Sequence, residues 1–280
     1  MLNKLTHGKI LGCTVTVFLL VSSTMVQAFD HQHQLFTQVL REIVQLSPNK
    51  KQTRVDYEQL NKQPESLNQY LALLSSVKKS EYQLWTNQEQ LSFLINAYNG
   101  FTLQLINQNY AKFQSAKAES IKDLGSFFSS PWKQGFFTLL DEKRSLDNVE
   151  HDMIRAWFER PRIHAALVCA AVSCPPLRNQ AFVADKLDQQ LDDQMRQFLS
   201  DDQRNTLSQK DNSVNLSSIF KWYGDDFEKG QQGFTSLKDL IKVYQKEMAD
   251  DPQQLTWLQN QEFSIGFLDY DWRLNDISTF

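Results

Sequence analysis

The segment from Thr86 to about Gln108 constrains this chain more than any other. Thr86-Asn87-Gln88-Glu89 is a capping box, in which the threonine hydroxyl and the glutamate carboxylate each satisfy an orphan amide at a helix start. At roughly 100° per residue, Leu91, Leu94, Ile95, Tyr98, Phe101, Thr102 and Leu105 define one face, while Phe93, Leu103 and Ile106 fall elsewhere around the wheel. A helix apolar nearly all round must be enclosed by other elements, so the pattern predicts a buried central helix near 87–108. Asn96 and Asn99 lie one turn apart inside that burial, and buried amides need partners. They belong either to a structural polar network or to a site.

Before the capping box, amphipathic surface helices are predicted by Leu35, Phe36, Val39, Leu40, Ile43 and Val44, and by Leu67, Tyr70, Leu71 and Leu74. Gly135 to Leu146 reads as a hairpin with a charged turn at Asp141-Glu142-Lys143-Arg144. A helix follows from about Asp147 to Arg160, its apolar stripe formed by Leu146, Val149, Met153, Ile154 and Trp157. Glu150 falls inside that stripe, whereas Asp147, His151 and Arg155 share the neighbouring polar face. A carboxylate on a buried face is paired or protonated, so Glu150 is the most conspicuous acid in the chain, as a site residue or in a buried ion pair. Ile163 to Ala171 reads as an interior strand meeting a turn at Ser173-Cys174-Pro175-Pro176, which would put His164 and Cys169 on opposite faces. Beyond it come a helix through Leu187, Leu191, Met195 and Phe198, a hairpin over Thr206 to Leu216, a helix from Leu237 to Met248 capped by Ser236, and a closing strand near Phe263 to Leu268. The fold class expected is a helix-rich α+β single domain with a small antiparallel sheet, spanning residues 29–280.

The first 28 residues stand apart. Lys4, His7 and Lys9 form a short basic start, Ile10 to Val26 carries no charge, and Val26-Gln27-Ala28 supplies small residues at the offsets of a cleavage site, as in a secretory signal peptide. Retention as a membrane anchor is the competing reading, since seventeen apolar residues approach bilayer length. Cleavage at a lipoprotein-like box, Ile10-Leu11-Gly12-Cys13, would leave the apolar Val15 to Val26 stretch on the product. Removing 28 of the 280 residues, two of them lysines, leaves 252 and takes the net charge from −4 to −6. Such a chain lacks the basic surface that nucleic-acid binding needs, and periplasmic or secreted localisation is expected, with no stable membrane span after cleavage. The new terminus, Phe29-Asp30-His31, could wrap square-planar copper or nickel, but any third-position histidine qualifies. Exposed positions before a helix are the preferred reading of His31 and His33.

Only two cysteines remain after cleavage, in Cys169-Ala170-Ala171-Val172-Ser173-Cys174-Pro175-Pro176. An oxidising compartment favours a disulfide; a reactive Cys174 with His164 or His151 as base is the alternative; two inert buried thiols are the third. Pro175 and Pro176 lack amide hydrogens, so they cannot help to lower the Cys174 thiol. The spacing fits no recognised zinc site. There is no His-Glu-x-x-His, Gly-x-Ser-x-Gly or dinucleotide fingerprint, and nine glycines leave little room for a phosphate loop. No cofactor and no metal are expected.

Taken together, Leu91-Ser92-Phe93-Leu94-Ile95-Asn96-Ala97-Tyr98-Asn99, Ser145-Leu146-Asp147-Asn148-Val149-Glu150-His151, His164-Ala165-Ala166-Leu167-Val168-Cys169 with Ser173-Cys174-Pro175-Pro176-Leu177-Arg178, and Tyr270-Asp271-Trp272-Arg273-Leu274-Asn275 resemble the blocks of the domain of unknown function 547 family. Val55-Asp56-Tyr57 and Phe220-Lys221-Trp222-Tyr223-Gly224-Asp225-Asp226-Phe227 resemble two more. The resemblance covers most of the chain after residue 28 and implies an exported bacterial member, but it brings no settled activity. Because the family also occurs inside plant cells, it implies that the cysteine block serves more than an extracellular disulfide. It further implies that Cys174, His164, Glu150, His151, Asn96, Asn99 and Asp271 converge on one pocket. A polar central helix against a sheet bearing Cys and His is loosely similar to papain-like and transglutaminase-like proteins, although here no cysteine lies on that helix.

The leading expectation is a thiol/imidazole hydrolase or acyl transferase working on an amide or acyl bond of a peptide or small molecule. In it Cys174 attacks, His164 is the base, Glu150 or Asp271 orients the imidazole and Asn99 donates to the oxyanion. A non-catalytic binding or scaffold domain built on the same polar set is the second expectation, and thiol-disulfide exchange the third. A sulfur–sulfur bond or sealed burial favours the scaffold; an open cleft joining sulfur and imidazole favours the enzyme.

Overall fold

A computed structural model of the protein describes residues 28–126, 129–260 and 262–280. The segment read as the body of a signal peptide lies outside the described residues. The central helix forms as Asn87–Gln108 behind the complete Thr86/Glu89 capping box, and every residue from Leu91 to Leu103 is buried. Helices Gln34–Ile43 and Glu65–Ser76 cover one side of it. Gly100 sets that approach: a Cβ there would meet Leu71 Cδ2 at 3.0 Å.

His33 departs from expectation. It is buried, with Nδ1 2.8 Å from the Tyr70 hydroxyl, and it adopts φ 47° just before the first helix. Phe29 and Trp85 form an aromatic cluster around the segment, so the chain entering the first helix is packed rather than solvated. His31 is half-buried against Trp85.

The structure is helix-rich α+β, and the strands form three small sheets rather than one. β1 (Val44–Leu46) pairs with β2 (Thr53–Val55), and β3 (Phe137–Leu139) with β4 (Glu142–Arg144), both antiparallel. The hairpin turn sits on Leu140 and Asp141, at φ 52° and 68°, one residue earlier than the charged run suggested. Mirror-image turns of this kind match the twist of the flanking strands. β5 (Thr206–Ser208) pairs antiparallel with β6 (Ser213–Leu216), but β7 (Ser264–Phe267) joins β6 in parallel. Helices Leu237–Met248 and Pro252–Asn260 lie between them, a crossover long enough to return the chain in the same direction.

Residues 163–171 do not form a strand. Pro161–Ala165 is a 3₁₀ helix begun by proline, and the following loop has its peptide groups taken by side chains. The Ala166 carbonyl and the Val168 amide are bonded to Asn99, and the Ala165 carbonyl to Gln194. With those groups occupied, no strand ladder can form there. Ala170, at φ 60°, then reverses the chain.

The buried apolar residues divide into two clusters. The larger surrounds the central helix; the smaller joins Phe198, Val214, Phe220, Phe227, Leu240 and Tyr244. A cavity opens where the two meet, lined by Tyr98 and Leu167 from the first side and Ile219 from the second. Among the described residues, no helix is long and apolar enough to cross a membrane.

Candidate functional site

The cavity has a volume of about 220 Å³. One wall comes from the helix after the β3–β4 hairpin. Asn148–Ile154 is wound as a π-helix and is followed by the α-helical Arg155–Trp157. Such wide turns are uncommon and recur at functional sites. This one directs Glu150 inward at 7% exposure and places Asp147 and His151 on the rim of the same cavity. The shared polar face expected of Asp147, His151 and Arg155 is present: His151 Nε2 lies 3.8 Å from Asp147, and its Nδ1 is 2.9 Å from Arg155.

His164, on the 3₁₀ helix, reaches the cavity from the opposite side. Its Nε2 is 2.8 Å from Asp226 Oδ2, and its ring stacks on Tyr223 with centroids 4.0 Å apart. Asp226 also accepts two bonds from Arg155, at 2.7 and 3.1 Å, and one from Lys229 at 2.8 Å. Burial alone would raise the Asp226 carboxyl, but the donors from His164, Arg155 and Lys229 outweigh it and hold the group well below the usual carboxylate range. Burial pushes His164 down, with Asp226 and Glu150 opposing, so its imidazole is neutral at pH 7. A neutral ring that donates from Nε2 to Asp226 carries its lone pair on Nδ1, which has no hydrogen-bond partner among the described residues. An imidazole oriented by a carboxylate on one nitrogen and open on the other has the form of a general base.

Glu150 lies against the hydroxyls of Tyr98 and Tyr223. Burial, followed by the charge of Glu150, pushes both phenols upward, so they remain protonated donors. Tyr270, raised chiefly by burial, completes the inner wall beneath Trp222 and Trp272.

Those outer rings arrive through backbone pairing. Val172 donates to the Arg273 carbonyl, Asn275 to that of Ala170, and Ala171 bridges Leu274, which fastens the 270–275 segment to the cysteine loop. The buried Asp201–Arg204 ion pair supports the loop from behind, as Arg204 also donates to the Val172 carbonyl. Cys169 and Cys174 are joined in a disulfide. Cys169 lines the cavity, whereas Cys174 is 1% exposed and does not. The Cys174 sulfur accepts the amides of Cys169 at 3.0 Å and Ala171 at 3.2 Å, and the Tyr270 hydroxyl at 3.3 Å.

Of the residues singled out in the sequence, the structure therefore brings Glu150, His151 and His164 together. Cys174 sits behind its partner. Asn96 and Asn99 are elsewhere: each is bonded at both ends of its amide to the backbone, Asn96 to the Phe182 carbonyl and amide, Asn99 to Ala166 and Val168. Asn99 is not on the lining of the cavity and holds the Ala166 carbonyl, so it is not placed to serve an oxyanion there. The Asp271 side chain pairs with Arg273 and leaves His164 alone. The acid that orients the imidazole is instead Asp226, in the Phe220–Phe227 block, where nothing in the spacing separated it from neighbouring Asp225. Tyr98 was visible only as one more apolar position on the central helix. A better signal was the placing of Trp222 and Trp272 inside the polar blocks; Trp132, also on the lining, lies in none of them.

Among the described residues there is no group of His, Cys, Asp and Glu side chains arranged to hold a metal ion. No curated protein and no solved structure matches the chain. The blocks at 55–57, 220–227 and 270–275 fall outside the one stretch that a family model does match. Residues 82–199, which carry the central helix, Glu150, His151, His164 and both cysteines of the disulfide, match the family described as "Protein of unknown function, DUF547".

Proposed function

We propose that the protein is exported, that its signal peptide is removed after Ala28, and that the cavity is an acid/base site acting on an amide or acyl bond of a small molecule or peptide. The observation that carries this reading is the Asp226–His164 contact of 2.8 Å on the wall of a cavity that also contains Glu150 and Cys169. Cys169, rather than Cys174, is the nucleophile, because it is the sulfur that lines the cavity. The disulfide by itself favours the scaffold reading, so its reduction by an external dithiol, with two electrons and two protons, is the precondition of this chemistry. The Cys169 thiol proton then passes to His164 Nδ1, Asp226 stabilises the imidazolium, and the thiolate adds to the carbonyl carbon. The phenols of Tyr98 and Tyr223 each carry one hydrogen, and turning it from Glu150 to the developing oxyanion supplies the donors.

Mass spectrometry of the exported protein reads the cleavage site and the state of both thiols. Turnover of a panel of amide and thioester substrates by reduced protein tests the chemistry. Cys169→Ser and His164→Asn should each abolish it, and Cys174→Ser should retain it. Equal turnover by oxidised protein or by Cys169→Ser would remove the thiol from the mechanism.

A second reading, thiol-disulfide exchange, is favoured by the three donors on the Cys174 sulfur. An external thiolate attacking Cys169 would expel Cys174 as a thiolate already hydrogen-bonded by two amides, with the Tyr270 phenol within reach of both sulfurs. Alkylation across a graded redox buffer decides it. A potential below about −300 mV marks a structural bond and ends this reading.

A further inference from the structure

The lining of the cavity is uneven in charge. Asp147 and Glu150 are on it; no lysine or arginine is, among the described residues. Arg155, the nearest candidate, spends Nε and Nη2 on Asp226 and Nη1 on His151. Among the described residues, no lysine or arginine comes within ion-pair distance of Glu150, a residue only 7% exposed. A buried carboxylate without a counter-ion is costly, and two phenol donors only partly offset the cost.

The rest of the wall is aromatic. Trp222 and Trp272 lie 5.6 Å apart and near parallel, with Tyr270 at 4.8 and 4.5 Å from them. Aromatic faces are electronegative and attract cations, most strongly where water is excluded. Two of the lining rings already hold a protein cation on one face: Lys122 Nζ lies 4.8 Å from the centre of Trp272, and Arg155 Cζ 5.1 Å from that of Tyr223. At about 220 Å³ the cavity is also smaller than the roughly 300–1,000 Å³ of pockets for drug-sized ligands.

We infer that the cavity takes a compact organic cation, an amine or quaternary ammonium group, with Glu150 as its counter-charge and Trp222, Tyr270 and Trp272 as its aromatic wall. As a statement about the substrate of the acid/base site, the inference rests on the reading given above. As a statement about binding, it is measured without turnover. The group would enter with its positive end toward Glu150, placing an attached carbonyl within the reach of the groups that line the opposite side.

The test is a titration of the full-length protein with choline, followed by tryptophan fluorescence and calorimetry, against the neutral isostere in which carbon replaces the ammonium nitrogen and against acetate. Choline should saturate one site and bind at least about tenfold more tightly than the isostere. Glu150→Gln should lose that preference. Should Glu150→Gln fail to fold by circular dichroism, Trp222→Ala, at a residue 46% exposed, takes its place and should weaken choline severalfold. His164→Asn should bind choline as the wild type does while losing turnover, so failure of the acid/base chemistry and failure of the cation site are read separately. Equal affinity for choline and its isostere, tighter binding of acetate, or an undiminished choline preference in Glu150→Gln each overturns the inference.

Discussion

Two sets of buried polar side chains stand about the central helix, and they are built on opposite terms. Asn96 and Asn99 use both ends of their amides on backbone groups of other segments. Glu150 and His164 are also buried, yet both line a cavity and retain acceptor capacity there. The first set staples loops to the helix, and the second set waits for something. Burial of a polar residue is thus no mark of function; unspent hydrogen-bonding capacity beside open space is.

The comparison can be broken at several points. The largest effect is expected at a third buried polar group, His33, whose Nε2 has no partner among the described residues. Burial pushes its imidazole from 6.5 down to about 3. Across that interval the unfolded chain binds a proton that the native state refuses. Stability is therefore full above pH 6.5 and falls on acidification by about 1.4 kcal/mol per pH unit until the native group titrates. His164, also pushed down, adds a loss of the same sign below pH 6.5. His33→Asn should flatten the pH dependence of the denaturation midpoint, and an unchanged slope would show that His33 does not govern it.

Asn99→Ala comes next. It strips a buried carbonyl and a buried amide of their partners together, so unfolding should become easier by about 3 kcal/mol, while choline titration of the surviving fold is unaltered. A loss under about 1 kcal/mol would mean that the staple is not needed. Reducing the disulfide should cost roughly 2 kcal/mol, as its short loop implies, without loosening the asparagine contacts; amide exchange at Phe182 and Val168 reports on them. The smallest change is expected for Glu150→Gln, within about 1 kcal/mol in either direction, since it removes a buried charge along with its hydrogen bonds. A large destabilisation there would move Glu150 into the structural set.

Much of the framework was legible because it is local. The capping box, the all-round apolar helix, the late helix behind Ser236 and two hairpins follow from nearest-neighbour chemistry and periodicity, and each is present. Residues 163–171 misled for a physical reason. A short run of small apolar residues suits a strand, and only the distant Asn99 and Gln194 amides, by taking its peptide groups, decide otherwise. The parallel seat of β7 likewise depends on a crossover whose direction no pattern of hydrophobicity encodes. In the site, Glu150 was conspicuous because it interrupts an apolar stripe. Asp226 was not, because its role comes from the fold bringing residues 155, 164 and 226 together. Cys174 drew notice as the cysteine before two prolines, but the reversal at Ala170 turns that sulfur inward and leaves Cys169 at the surface of the cavity.

The π-helical winding of Asn148–Ile154 carries a consequence for how this protein can change over evolutionary time. A wide turn holds one residue more than an α-helical turn over the same length. Deleting a single codon within it would let an ordinary α-helix close, with the hairpin before it and Arg155 after it little displaced. Inside the segment the register would meanwhile shift by one residue, roughly 100° about the axis, and Glu150 and His151 would no longer share the cavity. Descendants bearing that deletion would keep the architecture and lose the pocket chemistry in one step, whereas point substitutions would erode it gradually. The length of this segment among related chains is consequently a sharper reporter of whether the site is in use than the identity of any one residue on it.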